Sequence, residues 1–330
     1  MKLRETQFQS SEDLAGLLRP VSSDMAVLQL SSGALSGRLQ IFRLGPIRIS
    51  VLECNQSLVL SGQRNLDLVT LALELAPGLE AHQHRAQGVS LKWPALMGFN
   101  LQLKDFDLRL PAGTKLCSVL IPRQLLVETA TTHGAARALM RLNHANVLEL
   151  REPSHNILLH QLHQILDSDD SQLVPQASDQ LIETVLNCLE HPKARSKPAE
   201  PRQERHQAAI DLLHWASQHP SSSLTLDEIS TMLYRSRTSL FKGCQEHFQM
   251  TPQELQRCIR LDLVRQLLLD SKRCDLQGLN GVSAIAQHMG FKSRSHFARR
   301  YQEKYGEHPR QTRQESKQQP TNKLLQLTAP

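Results

Sequence analysis

The strongest constraint on the fold is an internal duplication in the last third of the 330-residue chain. Residues 224–252 and 280–309 place apolar side chains in the same order, with one residue inserted after a central turn. Each segment predicts a short helix, a sharp turn and a second helix that begins at a serine able to cap it, Ser236 or Ser293. Two helices joined by a three- or four-residue turn form a helix-turn-helix unit, whose second helix can enter a DNA major groove.

Residues on one face of each second helix are predicted to be buried. In "SRSHFARRYQEKY", Phe297, Tyr301 and Tyr305 recur every four positions, which is the spacing of a single helical face. The predicted core and turn positions of the two units are Ile229, Leu233, Leu240, Ile285, Met289, Gly290, Phe291, Phe297, Tyr301 and Pro309.

Basic and polar residues occupy the opposite faces of these helices. The outward positions are Arg237, Thr238, Phe241, Lys242 and Gln245 in the first unit, and Arg294, Ser295, His296, Arg299, Arg300 and Lys304 in the second. Arginine can bind guanine edges or phosphates, and serine or threonine can bind either. One such helix would be equally consistent with a solvated basic surface, but two copies in register favour contact with double-stranded DNA.

The charge distribution along the chain points to the same partner. Residues 205–330 contain 18 Lys/Arg and 11 Asp/Glu, whereas residues 1–190 contain 16 and 19. A basic excess confined to one end of a chain favours a polyanionic partner there.

A single long helix is predicted between the two units. Thr251 can cap it, Pro252 suits its first turn, and an apolar stripe continues to Asp270. About 19 residues at ~1.5 Å each span about 28 Å. Successive major grooves lie ~34 Å apart on one DNA face, so this helix is predicted to hold two reading helices about one turn apart.

These segments resemble the C-terminal DNA-binding domain of the AraC/XylS family of bacterial transcription regulators. The resemblance covers residues 224–310 and is carried by "RLDLVRQLLL" and "AIAQHMGFKSRSHFARRYQEKYGEHPRQ", including the pair Gly290 and Phe291. It implies a sequence-specific regulator, with RNA polymerase as a further partner. The DNA-binding residues assigned with it are Arg237, Thr238, Phe241, Lys242, Arg294, Ser295, Arg299 and Arg300.

The chain departs from the family pattern in the first unit. Tyr234 occupies the usual turn glycine position, and Gln249 occupies the glycine position after the second helix. Phe241 stands where a polar residue is common, and either contacts a thymine methyl group or packs into the core. DNA reading by the first unit is therefore an open question at this stage.

The N-terminal part of the sequence predicts strands followed by helices. Residues 26–121 contain about seven short segments with period-two alternation or apolar runs, separated by Gly and Pro turns. Later, Leu181, Ile182, Val185, Leu186 and Leu189 form a helical stripe that packs either within the chain or against a second copy. The family resemblance implies that this region receives a small-molecule effector and contributes to a homodimer.

The predicted fold class is therefore multidomain, with a β-rich N-terminal sandwich or barrel with appended helices and an all-α C-terminal domain with two helix-turn-helix units. The predicted divisions are a regulatory domain (1–190), a linker (191–204), a DNA-binding domain (205–312) and a disordered tail (313–330).

No pattern in the sequence favours an enzyme. There is no Gly-rich phosphate loop or nucleophile elbow, so we predict no catalytic residues, cofactor or metal. The alternative is a cupin-like ligand- or metal-binding protein or enzyme with a DNA-binding tail, based on His82 and His84 two residues apart. Six scattered cysteines and the absence of a long apolar segment predict a reduced, cytoplasmic protein.

Overall fold

The computed structural model describes residues 2–75, 84–92, 94–167, 174–276, 278–279 and 281–318. The N-terminal elements are β1 (Lys2–Phe8), α1 (Ser11–Leu18), β2 (Ala26–Gln29), β3 (Gly37–Leu44), β4 (Ile47–Cys54), β5 (Leu58–Gln63), β6 (Leu68–Glu74), β7 (Arg85–Ala86), β8 (Val89–Ser90), β9 (Ala95–Met97), β10 (Asp105–Leu110), β11 (Lys115–Pro122), α2 (Arg123–Thr132), α3 (Ala136–His144), β12 (Ala145–Glu149), α4 (Glu152–Asp167), α5 (Val174–Glu190) and β13 (Arg195–Pro198). The C-terminal elements are α6 (Glu204–Gln218), α7 (Leu226–Met232), α8 (Arg237–Phe248), α9 (Pro252–Leu269), α10 (Ser271–Leu276), α11 (Val282–His288), α12 (Arg294–Tyr305) and α13 (Pro309–Gln318).

The N-terminal strands form two antiparallel sheets, which confirms the predicted β-rich domain. The larger sheet has the order β1-β3-β4-β11-β6-β9-β12-β13 and the smaller has the order β2-β5-β10-β7-β8. The turn between β7 and β8 is Gln87-Gly88, and both residues have positive φ, 52° and 75°. Such a turn matches the twist of a two-residue hairpin.

Two apolar layers stabilise this domain. Leu52 of β4 and Leu60 of β5 belong to the layer between the sheets, while Ile47 and Ile49 of β4 face the helices on the other side of the larger sheet. The alternation follows from the period of two along a strand. The stripe of α5, predicted to pack either within the chain or against a second copy, is buried within the chain in the helix-covered layer.

The region predicted as a linker contains an edge strand. β13 pairs with β12, and the Nζ of Lys197 donates to the carbonyl oxygen of Ser90 at 2.8 Å. Charged residues and proline tolerate this position because an edge strand is paired on one side only. The sequence did not predict this strand, because pairing with a distant strand leaves no local signal in this segment.

The helical C-terminal domain continues beyond its predicted end at residue 312. α13 runs to Gln318, so residues 313–318, which the sequence analysis placed in the tail, are helical. Thr312 is buried and its Oγ1 lies 2.9 Å from the Tyr301 hydroxyl, which holds α13 against the domain. The remainder of the predicted tail, 319–330, lies outside the described residues.

The helical domain has two apolar clusters. One surrounds α6 to α8 and the start of α9, and the other surrounds the end of α9 with α10 to α12. Within the described ranges, no helix is both long enough and apolar enough to cross a membrane.

Candidate nucleic-acid interface

We call α7, its turn and α8 the first unit, and α11, its turn and α12 the second unit. In the first unit, Thr225 and Glu228 cap α7 reciprocally, and the Ser236 hydroxyl accepts from the Ser239 backbone N–H at 3.0 Å. These bonds satisfy backbone donors that each helix start would otherwise leave unpaired. The start of α8 is thereby set by its own sequence.

The turn of the first unit keeps the backbone that glycine usually provides. Tyr234 has φ 51°, and the matching Gly290 of the second unit has φ 79°. Gln249 ends α8 with φ 60°, and Gly306 ends α12 with φ 75°. Tyr234 and Gln249 thus adopt a left-handed conformation that is costly for a residue with a side chain, and the two units share one backbone path.

The outward face of α8 is open. Arg237, Thr238, Phe241 and Lys242 are all exposed, while Ile229 and Leu240 are fully buried and Leu233 is partly buried. Phe241 is 44% exposed, so it does not pack into the core. The Arg237 Nε lies 2.5 Å from an oxygen of Asp227, at the start of α7.

Three tilted aromatic rings pack along one face of the second helix of the second unit. Phe297, Tyr301 and Tyr305 are buried along one face of α12, with successive ring centroids 5.8 Å and 4.6 Å apart. Arg265 of α9 lies over the Tyr305 ring at 4.9 Å, and burial raises the pKa of Tyr301 to about 12. Burial also raises the pKa of Tyr305, so both phenols remain protonated, and the Tyr305 hydroxyl donates to Asp262.

The remaining predicted core positions of the second unit are packed around these rings. Ile285, Met289 and Pro309 are buried and Phe291 is partly buried, whereas Gly290 is exposed at the turn.

Arg294, Ser295 and Arg299 are exposed on the opposite face, and Arg300 is half-buried. Glu303 is close to both adjacent arginines, 3.7 Å from the Arg299 Nε and 3.1 Å from an Arg300 Nη. Lys304 behaves differently from its sequence prediction: its side chain is only 10% exposed and is turned against the N-terminal domain.

A buried polar cluster at the domain interface was not anticipated from the sequence. Asp107 of β10 accepts from the Arg202 Nε at 2.7 Å, and its second oxygen lies 3.1 Å from the His206 Nε2. Burial opposes ionisation of this carboxyl, but the His206 hydrogen bond and the Arg202 charge hold its pKa below the ordinary value. Asp107 lies 95 positions from Arg202 and 99 from His206, so no local motif could have revealed the cluster.

One histidine of the N-terminal pattern contacts a carboxylate in the described part of the chain. His84 is fully buried, and its Nε2 lies 3.0 Å from a Glu74 oxygen. Among the described residues, no three metal-ligating side chains come together, and His82 lies outside these residues.

Part of the C-terminal domain matches a known protein family. Residues 229–315 match the family model described as a helix-turn-helix domain. Among curated protein sequences, none matches the chain significantly.

Three solved structures illustrate the similarity found among known structures. The AraC-like transcriptional activator CuxR is 14% identical, with 87% of this chain and 100% of that chain covered and a TM-score of 0.42. A probable AraC family transcriptional regulator from Rhodopseudomonas palustris CGA009 is 24% identical, with 33% and 97% covered and a TM-score of 0.30. ToxT from Vibrio cholerae is 12% identical, with 87% and 96% covered and a TM-score of 0.28.

The C-terminal domain is thus a helix-turn-helix DNA-binding domain built from two units on one connecting helix. The chain joins this helix-turn-helix domain to an N-terminal two-sheet domain with helices. The matched helix-turn-helix domain supports DNA binding in transcription regulation.

Proposed function

We propose that this regulator reads two adjacent major-groove segments, one with α8 and one with α12. One observation carries the proposal: both second helices bury their apolar face and leave a basic, polar face exposed, twice in one chain. The 18 residues of α9 span about 27 Å at ~1.5 Å each. That length suits two reading helices about one DNA turn apart, since major grooves recur every ~34 Å.

The proposed base contacts are Arg237, Thr238, Phe241 and Lys242 in the first unit and Arg294, Ser295 and Arg299 in the second. Arg300 is proposed to bind the DNA as well. Arginine matches the two acceptors of guanine, and the exposed Phe241 ring suits a thymine methyl group. Arg300 can bind a phosphate, and Lys242 can bind a base or a phosphate. Phosphate contacts give an affinity that falls as salt rises.

Unpaired arginines are needed for these roles, yet Arg237 and Arg299 each face a carboxylate in the DNA-free chain. These are exposed ion pairs, which contribute little stability, so DNA can displace them at small cost. Their presence is therefore compatible with reading by both helices.

The N-terminal domain is proposed to be the regulatory part, receiving a small-molecule effector and forming a homodimer, with RNA polymerase as a further partner of the chain. A homodimer would need a surface other than the α5 stripe, since that stripe is buried within the chain. The exposed Ile157 of α4 lies on such a surface, with 61% of its area accessible. Chemical cross-linking of the parent and of Ile157→Asp tests whether α4 contributes to a homodimer. A loss of cross-linked dimer in the variant is the expected result.

The test of DNA reading is selection of bound sequences from a random duplex library, with competitor DNA at physiological salt. The full chain is used because the first unit shares apolar contacts with Ala26, Leu28 and Val59 of the N-terminal domain. We expect two short elements about one helical turn apart. A single element would limit reading to one unit, and a lack of enrichment would contradict sequence-specific reading.

A further inference from the structure

The two helix-turn-helix units are attached to the N-terminal domain in different ways. The first unit shares an apolar cluster with the smaller sheet: Leu28 of β2, Val59 of β5 and Leu240 of α8 all belong to it. Among the residues that the structure describes, the apolar cluster of the second unit contains none from the N-terminal domain. The first unit is therefore packed onto that domain, whereas the second is joined to the first through α9.

Polar contacts fasten the second unit instead. The Nζ of Lys304 donates to the Gln29 carbonyl at 3.0 Å, and the Lys304 carbonyl accepts from the Gly33 N–H at 2.6 Å. On α9, an oxygen of Asp262 accepts from the Ser11 hydroxyl at 3.1 Å. We call these five residues the latch.

The latch is buried and fixed on both sides. The side chains of Lys304 and Asp262 are 10% and 8% exposed and lie 3.9 Å apart, and Asp262 also accepts from Tyr305. On the opposite side, the Gln29 amide donates to two carbonyls of its own loop, those of Ser31 and Gly33, at 2.8 Å and 2.7 Å. This loop is therefore held in shape where it meets the end of α12.

The latch leaves the DNA-facing surface free. It engages the last turn of α12, whereas Arg294, Ser295 and Arg299 in the first half of that helix are exposed. A contact that held the second unit while covering those residues would block DNA. A contact at the opposite end of the helix can hold its direction without blocking it.

We propose that Ser11, Asp262 and Lys304 are positioning residues, through which the N-terminal domain sets the separation of the two reading helices. This rests on the proposed reading of two adjacent segments. A helix such as α9 can bend, so the helix alone leaves the second unit able to swing. While the hydrogen bonds of the latch are intact, the chain holds α8 and α12 at one separation. It then binds DNA without the entropic cost of ordering these two helices.

The first test measures separation without DNA. Non-natural residues at Thr238 and Ser295 carry spin labels, and pulsed dipolar spectroscopy records the distance between α8 and α12 in the full chain. We expect one narrow distribution in the parent and a broader one after Ser11→Ala with Lys304→Met. An unchanged distribution in that variant would overturn the latch, whatever the DNA selection finds.

The second test uses DNA containing the two selected elements, with one to three base pairs inserted or removed between them. The parent is expected to lose affinity at each altered spacing, and the latch variant to lose at least about 2- to 10-fold less, the range for the net contribution of one hydrogen bond. Ser11→Ala alone is also expected to lose less affinity than the parent at altered spacings, although Ser11 lies in the N-terminal domain. Binding to one element by itself should stay within twofold.

Ser196→Ala with Lys193→Met is the matched control, since it removes one hydroxyl and one ammonium from exposed positions of the N-terminal domain. It should keep the spacing preference of the parent. Equal weakening of the latch variant at every spacing would make Lys304 a DNA contact and contradict the proposal. Equal affinity of the parent protein at every spacing would also contradict the proposal. Such a result would still be compatible with sequence-specific reading of each element.

Discussion

The imidazole rings of His206 and His247 stack 4.0 Å apart, with 14° between their planes. One belongs to α6 and the other to α8, and Gly88 of the β7–β8 hairpin lies against both: a Cβ there would come within 2.9 Å of the His206 ring. From the N-terminal domain, a carboxylate oxygen of Asp107 contacts the Nε2 of His206. The end of the first reading helix thus rests on a buried polar contact between domains.

Acid should weaken this contact. Burial, followed by the neighbouring His206, lowers the pKa of His247 to about 4, below the ordinary 6.5. Between these values the unfolded chain binds more protons, so stability is lost as pH falls from about 6.5 towards 4. Asp107, with a pKa held below 3.8, adds a further loss at still lower pH. Urea unfolding from pH 7.5 to 4.5 measures the effect.

His247→Phe keeps a ring on His206 but cannot be protonated, so its stability should fall less steeply over that range. His163→Phe replaces an exposed histidine of α4 and should follow the parent curve. Parallel curves for His247→Phe and the parent would show that His247 does not titrate in this window.

Gln249→Gly should stabilise the chain. The left-handed backbone costs a residue with a side chain about 1–2 kcal/mol, and glycine avoids that cost while losing part of the gain to a more flexible unfolded chain. We expect a net gain of about 1 kcal/mol in the free energy of unfolding. Gly306→Gln makes the reciprocal change at the end of α12 and should destabilise by a similar amount, since its φ is 75° and nothing else crowds it. The prediction requires that Gln249→Gly increase the free energy of unfolding and that Gly306→Gln decrease it.

Asp107→Asn should destabilise the domain interface strongly. The side chains of Asp107 and Arg202 are 9% and 5% exposed, so the substitution leaves a buried guanidinium without its carboxylate there. Removing one partner of a buried pair costs about 3–5 kcal/mol, reduced here because Arg202 also reaches Asp105 at 2.9 Å. Calorimetry measures the loss, and exposed Asp67→Asn should be close to neutral. A neutral Asp107→Asn would mean that water replaces the contact.

Arg299→Ala separates base reading from phosphate binding. If Arg299 binds guanine through both Nη groups, the substitution costs about 1–3 kcal/mol on the selected DNA and relaxes selection at one base pair. A phosphate contact would instead weaken selected and random DNA equally and make the dependence on salt shallower. Titrations on both DNAs at two salt concentrations distinguish these outcomes, with exposed Arg310→Ala as the control.

Much of the helical domain follows from local sequence. The serines before α8 and α12 and the Phe297, Tyr301 and Tyr305 spacing predict where helices begin and which face is buried, because capping and helical period act within a few residues. Tyr234 and Gln249 looked like departures from the pattern, yet the chain adopts the same backbone at some cost.

Tertiary structure decided what distant residues do to one another. Lys304 belongs to an outward face by its position in α12, but Gln29 and Gly33, about 270 residues earlier, turn it towards the N-terminal domain. β13 became a strand because β12 offers an open edge, and Asp107 became an interface residue because His206 and Arg202 fold onto it. Helix starts and buried faces depend on near neighbours, whereas these contacts depend on which surfaces meet once the whole chain has folded.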